Sequence, residues 1–175
     1  MNFMRLGITA LILSFMVGCG YSARSTFAGN FRTIHIEPFK NKIIYGTETI
    51  RNTYIPLLEV KITNAVADRF LFDGNLKVNK KDTADLILKG ELTNYDRAPL
   101  RYTDDGEVQE YRITITVSLT LWDSAKNEAV WTESNFSGDT SYFTSGTLAK
   151  SESAAIEDAV TDLARRIVER TIEDW

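Results

Sequence analysis

The sequence predicts an α+β domain: two helices packed on one face of a mixed, mainly antiparallel sheet of about four strands, in the order β-α-β-β-β-α. Three observations predict it. From Tyr111 the chain alternates almost without interruption, with Tyr111, Ile113, Ile115, Val117, Leu119 and Leu121 on one side and Arg112, Thr114, Thr116, Ser118 and Thr120 on the other. Two stretches, Ile55 to Phe70 and Ala155 to Val168, instead repeat their apolar residues at helical spacing. Turn signals at Asp105-Gly106 and Ser124–Asn127 flank the alternating stretch and make it the centre of a three-strand meander. A strand greasy on one side and hydroxyl-rich on the other belongs to a sheet covered by helices on a single face.

The chain has 175 residues, 43% of them hydrophobic and 25% charged, an ordinary globular composition that fits one domain. Its net charge of −4 argues against non-specific nucleic-acid binding, which depends on Lys and Arg neutralising phosphates. The single cysteine, Cys19, excludes an intrachain disulfide.

Cys19 finds its explanation at the N-terminus. Arg5 precedes an apolar run from Leu6 to Val17, too short to span a bilayer and of signal-peptide length. The run ends in Met16-Val17-Gly18-Cys19, similar to a bacterial lipobox. The expectation is a signal peptide over 1–18, a lipidated Cys19 heading a small, polar tether over 19–30, and one domain over 31–175. Gly20, rather than Asp, after the cysteine resembles the Gram-negative sorting signal for the outer membrane.

The elements of the domain follow in order. Ile34 and Ile36 alternate with Thr33, His35 and Glu37 in a first strand ended by Pro38. Asn52 or Thr53 is suited to cap a helix with Pro56 in its first turn, and Leu58, Ile62, Val66 and Phe70 form its buried stripe. Gly74 ends that helix. Leu76 to Val78 makes a short strand, and Ala84 opens a long one running to about Tyr95, with Gly90 marking a bulge or a closely packed helix. Asp96 to Asp105 reads as a connection, the alternating strand follows, and Glu128 to about Phe136 returns antiparallel. A Ser/Thr/Gly loop over Ser137 to Gly146 leads to Thr147 as the cap of the last helix.

No catalytic constellation is visible. There is one histidine, His35, no Gly-x-Ser-x-Gly elbow and no phosphate loop. A zinc site built from His and Cys is excluded, and the carboxylate pairs Asp104-Asp105 and Asp82 with Asp85 do not fit a calcium loop. The chain reads as a non-enzyme with neither metal nor cofactor.

The order of features resembles the LPS-assembly lipoprotein family, LptE. The marks are Cys19-Gly20-Tyr21, the helix ending Phe72-Asp73-Gly74, Ala84-Asp85-Leu86-Ile87-Leu88, and Gly106 to Glu110-Tyr111-Arg112 running into the alternating strand. The resemblance implies an outer-membrane lipoprotein of the periplasmic face that plugs a β-barrel of LptD type, helps it assemble and contacts lipopolysaccharide. It implies that the polar strand face, Thr114, Thr116, Ser118 and Thr120, rests against the wet barrel lumen. Arg97, Arg101 and Arg112 are then candidates for lipid A phosphates, because a guanidinium binds phosphate through two parallel hydrogen bonds. The same features suit a pilotin-like chaperone for another outer-membrane pore, and the paired carboxylates leave an extracytoplasmic hydrolase as a third reading.

Overall fold

The computed structural model describes residues 31–44 and 55–173. They contain β1 (Thr33–Ile36), β2 (Lys40–Asn41), α1 (Leu58–Asp73), β3 (Lys77–Val78), β4 (Leu86–Tyr102), β5 (Val108–Asp123), β6 (Glu128–Phe143) and α2 (Glu152–Glu173). The architecture is the expected α+β one, with a single sheet in the order β3-β1-β4-β5-β6 and β2 also paired to β4. β4, β5 and β6 are antiparallel, while β1 and β2 run parallel to β4.

The sheet has six strands rather than four. The short strand expected over Leu76 to Val78 is β3, and the unforeseen strand is β2; each is two residues long. β2 exists because Pro38 breaks the edge strand: β1 pairs with Leu86 to Leu88, the chain steps out, and β2 resumes opposite Glu91 and Leu92. In the gap Phe39 turns inward. Its ring occupies the space above Gly90, where a Cβ would stand 2.1 Å from Phe39 Cε1. Gly90 therefore answers to an aromatic ring, not to a helix, and the register of β4 is unbroken there.

β4 and β6 are both longer than the sequence pattern suggested. β4 continues past Tyr95 to Tyr102, because its pairing with β5 survives three register shifts, at Leu92/Asn94, Pro99/Arg101 and Arg101/Tyr102. Each bulge inverts which residues face the core. β6 continues to Phe143, absorbing most of the stretch that reads as a loop, with Asn135 in a left-handed conformation (φ 61°) at its own bulge.

The core lies between the sheet and the two helices. Ile113, Ile115, Val117, Leu119 and Leu121 of β5 are fully buried against Leu58, Ile62, Val66 and Phe70 of α1 and Ala159, Val160, Leu163 and Ile167 of α2. α1 starts at Leu58 after Leu57 at φ 59°, with no side-chain cap; Asn52 and Thr53 lie outside the described residues. It ends as expected at Gly74 (φ 75°), whose amide donates to the Phe70 carbonyl. α2 starts five residues after the predicted cap. Ser151, not Thr147, accepts the Ala154 amide on Oγ at 3.2 Å.

α2 lies very close to β6. A Cβ on Gly138 would stand 2.5 Å from Leu163 Cα, so only glycine permits this approach. The helix also takes up outward groups in the middle of that strand. Asp162 accepts the Asp139 amide at 3.1 Å, Arg166 donates to the Ser137 carbonyl at 3.4 Å, and Arg170 pairs with Glu133 at 2.6 Å. At the start of the sheet, Asp85 Oδ2 accepts from the Arg32 amide, the Thr33 amide and the Thr33 hydroxyl, all within 2.9 Å. That carboxylate fastens the beginning of β1 to β4.

Candidate functional site

The sheet face away from the helices is largely polar, with Ile87 and Trp122 paired at one end of it. Thr114, Thr116, Ser118 and Thr120 stand along its middle, each partly exposed. Register places Asp96, Asn94, Glu91 and Lys89 beside them on β4, and Asp139, Ser137 and Thr132 on β6. The Thr120 and Thr132 hydroxyls meet at 3.4 Å. These side chains are partly exposed, so another wet surface could rest on them without stranding a buried donor or acceptor. Where β1 gives way to β2 the face dips into a shallow cavity of about 280 Å³, lined by Glu37, Lys40, Lys89, Glu91, Ser118 and Thr120. Glu37 holds its carboxyl below the usual range through a hydrogen bond from Lys81.

The three candidate arginines do not share one surface. Arg101 and Arg112 do lie on the polar face near the hairpin tip, with Glu110 beside Arg101 at 3.7 Å and Asp139 beside Arg112 at 4.0 Å. Arg97 is on the opposite face. The bulge after Leu92 inverts β4, so Tyr95 and Arg97 turn toward the helices in register with Ile115 and Ile113. The Arg97 guanidinium sits 3.8 Å from the Tyr111 ring centroid and pairs with Glu152 at 3.0 Å, at the start of α2. Tyr95 donates to the same Glu152, and Tyr142 stacks on Tyr111 at 5.9 Å. Burial raises the pKa of both Tyr95 and Tyr142, so both stay neutral phenols at physiological pH. This Arg–Tyr–Glu cluster, which sequence reasoning missed, ties the first turn of α2 to the meander.

Beyond that cluster the β4–β5 hairpin projects past the helices. Its tip closes by the Thr103 amide donating to the Glu107 carbonyl at 2.8 Å, with Gly106 at φ 84°. Asp104 and Asp105 are exposed there, beside exposed Leu100 and Tyr102. His35 donates from Nδ1 to the Asn79 carbonyl at the other end of the sheet, far from the tip. Among the described residues no cluster of three His, Cys, Asp or Glu could hold a metal, and no helix is long and apolar enough to cross a membrane.

The lipopolysaccharide-assembly family LptE matches residues 31–171, the whole described domain but its last turn. The chain belongs to the LptE family. No curated protein matches the sequence itself. Among solved structures the fold is similar to protein CT253 of Chlamydia trachomatis, at 13% identity over 81% of this chain and 95% of that one, with a TM-score of 0.54. It is also similar to protein XCC0632 of Xanthomonas campestris, at 14% identity over 81% and 84%, with a TM-score of 0.53. At such identities the likeness concerns the fold alone. The LptE match instead spans the polar strand face, the hairpin with Arg101 and Arg112, and the helix α2 that packs on β6.

Proposed function

We propose that this LptE-family chain is an outer-membrane lipoprotein, held to the periplasmic face by acyl groups on Cys19, that plugs a β-barrel of LptD type and assists lipopolysaccharide insertion. The observation that carries the reading is the pairing of a family match over residues 31–171 with a sheet that buries one face against the helices and leaves the other largely polar, with Ile87 and Trp122 at one end of it. A barrel lumen is polar and wet, and such a face docks there without a desolvation penalty on unpaired groups. Thr114, Thr116, Ser118 and Thr120 are the lumen-facing residues in this reading. Arg101 and Arg112 are the phosphate contacts, each within 4.0 Å of a carboxylate that a phosphate would compete with. Arg97, engaged with Tyr111 and Glu152, is a positioning residue for the hairpin base.

The test is co-purification of the acylated protein in detergent with an LptD-type barrel produced in the same cells. Stoichiometric recovery of the barrel supports the proposal. Recovery of a different pore instead would make the chain a pilotin-like chaperone. The variant Cys19→Ala is expected to leave the domain folded but released into the periplasm; membrane retention of that variant after signal-peptide removal would overturn the anchor.

A further inference from the structure

At the end of α1, alone among the described helices, two large apolar side chains stand exposed next to each other: Leu71 is 64% and Phe72 82% exposed. Their position in the fold gives them a partner. β1 runs parallel to β4 and α1 returns the chain to the end where β1 began. Lys77, just past α1, donates its amide to the Arg32 carbonyl at 2.9 Å. Leu71 and Phe72 therefore sit beside the point at which the chain enters the domain from Cys19. The stretch between Cys19 and Phe31 spans at most about 40 Å even when fully extended. An acyl anchor on Cys19 thus keeps this end of the domain close to the bilayer, at high effective concentration, while the β4–β5 hairpin tip lies at the opposite end.

The polar groups around the pair fit a headgroup. The Arg69 guanidinium lies 5.4 Å from the Phe72 ring centroid, and its Nε is buried with no hydrogen-bond partner among the described residues. An arginine laid along an aromatic ring is an arrangement suited to the bilayer interface, with the ring among acyl chains and the cation at phosphate level. Arg69 and Lys77 are balanced by Asp68 and Asp73 in the same segment. A locally neutral patch matches a zwitterionic phospholipid, which presents both a phosphate and an ammonium, better than an anionic surface.

We infer that the last turn of α1 is a membrane-surface contact, in which Leu71 and Phe72 enter the interface of a zwitterionic phospholipid bilayer and Arg69 pairs with a lipid phosphate. The inference rests on the Cys19 anchor proposed above. It assigns the domain a fixed orientation on the membrane, with α1 and α2 ending toward the lipid and the hairpin tip away from it.

The experiment uses the acylated full-length protein in vesicles of phosphatidylcholine and phosphatidylethanolamine, with no barrel present. Acylation blocks the Cys19 sulfur, so Leu71→Cys introduces a single free thiol for a nitroxide label, and Leu148→Cys does the same at the far end. The expected result is an oxygen-to-nickel accessibility ratio several-fold higher at 71 than at 148, reduced toward the aqueous value by adding Phe72→Ser or Arg69→Gln. Equal, aqueous ratios at both sites in vesicles that carry the protein on flotation would overturn the contact while leaving the anchor intact. Failure to float at all would overturn the anchor and the contact together. Burial of the label at 71 only after a barrel is added would assign the patch to the protein partner and refute the lipid assignment. The four substitutions lie outside the buried stripe of α1 and the core, and circular dichroism of each variant should match the parent.

Discussion

The two faces of β5 are made from the same eleven-residue run and have opposite fates. On one, Ile113, Ile115, Val117, Leu119 and Leu121 are fully buried and share a core with both helices. On the other, Thr114, Thr116, Ser118 and Thr120 stay partly exposed and pack against no helix. The difference separates the side of the strand that builds the core from the side left open, which the proposed function gives to a partner. Neighbouring positions one residue apart stand in different surroundings, so substitutions can test each side alone.

The sharpest break in that comparison is Ile115→Ala. Deleting three carbons from a fully buried side chain costs about 2–5 kcal/mol, read as a lower urea midpoint with an unchanged slope. A loss no greater than that of Thr116→Ala would mean that the two faces do not differ as described. Gly138→Ala comes next. Its Cβ would stand 2.5 Å from Leu163 Cα and the helix would have to move, an overpacking cost of about 1–3 kcal/mol. A neutral result by the same denaturation assay would contradict the close seat of α2 on β6.

Asp85→Asn tests the edge where β1 joins. Three donors hold that carboxyl below its ordinary value of 3.8, the Arg32 amide contributing most. An acid with a lowered folded pKa stabilises the fold fully above its unfolded pKa and loses that contribution as pH falls through the folded value. The variant should therefore be less stable than the parent near neutrality, and the gap should close as the medium is acidified through and below the ordinary aspartate range. Parallel stability profiles across that range would remove Asp85 from the account. The smallest effect on folding, and the largest on assembly, belongs to Thr116→Glu. It should shift stability by no more than about 0.5 kcal/mol, yet reduce recovery of an LptD-type barrel severely. An unchanged complex would mean the hydroxyl face merely meets water.

Periodicity carried most of this fold. The alternation of β5, the stripe of α1, its end at Gly74 and the helix–sheet layering were all legible, because each is a local pattern repeated many times. What periodicity does not encode is a change of phase. The bulge after Leu92 turns Tyr95 and Arg97 toward the helices, and nothing in the surrounding residues announces it. For that reason Arg97 read as a neighbour of Arg101 and Arg112 and proved to be a partner of Tyr111 and Glu152. The run of three tyrosines and one glutamate converging on it offered a signal only in three dimensions. Gly90 and Gly138 were a different failure. A glycine within a strand states that something comes close, and only the fold says that one neighbour is the Phe39 ring and the other the backbone of α2. β6 misled for a third reason: Ser137 to Phe143 has loop composition, but it pairs along β5 from Thr116 to Glu110, and that pairing overrides its poor intrinsic preference.

Asp162 and Arg166, which take up the outward amide of Asp139 and carbonyl of Ser137, have a consequence for crowding. Molecules confined to a plane meet one another far more often than the same molecules in solution, and a bare sixteen-residue margin would invite one copy to zip onto the next. With the Asp139 amide and the Ser137 carbonyl taken by a helix of the same chain, the middle of β6 offers a neighbour an interrupted template, and on the membrane proposed above that interruption disfavours edge-to-edge pairing of two copies.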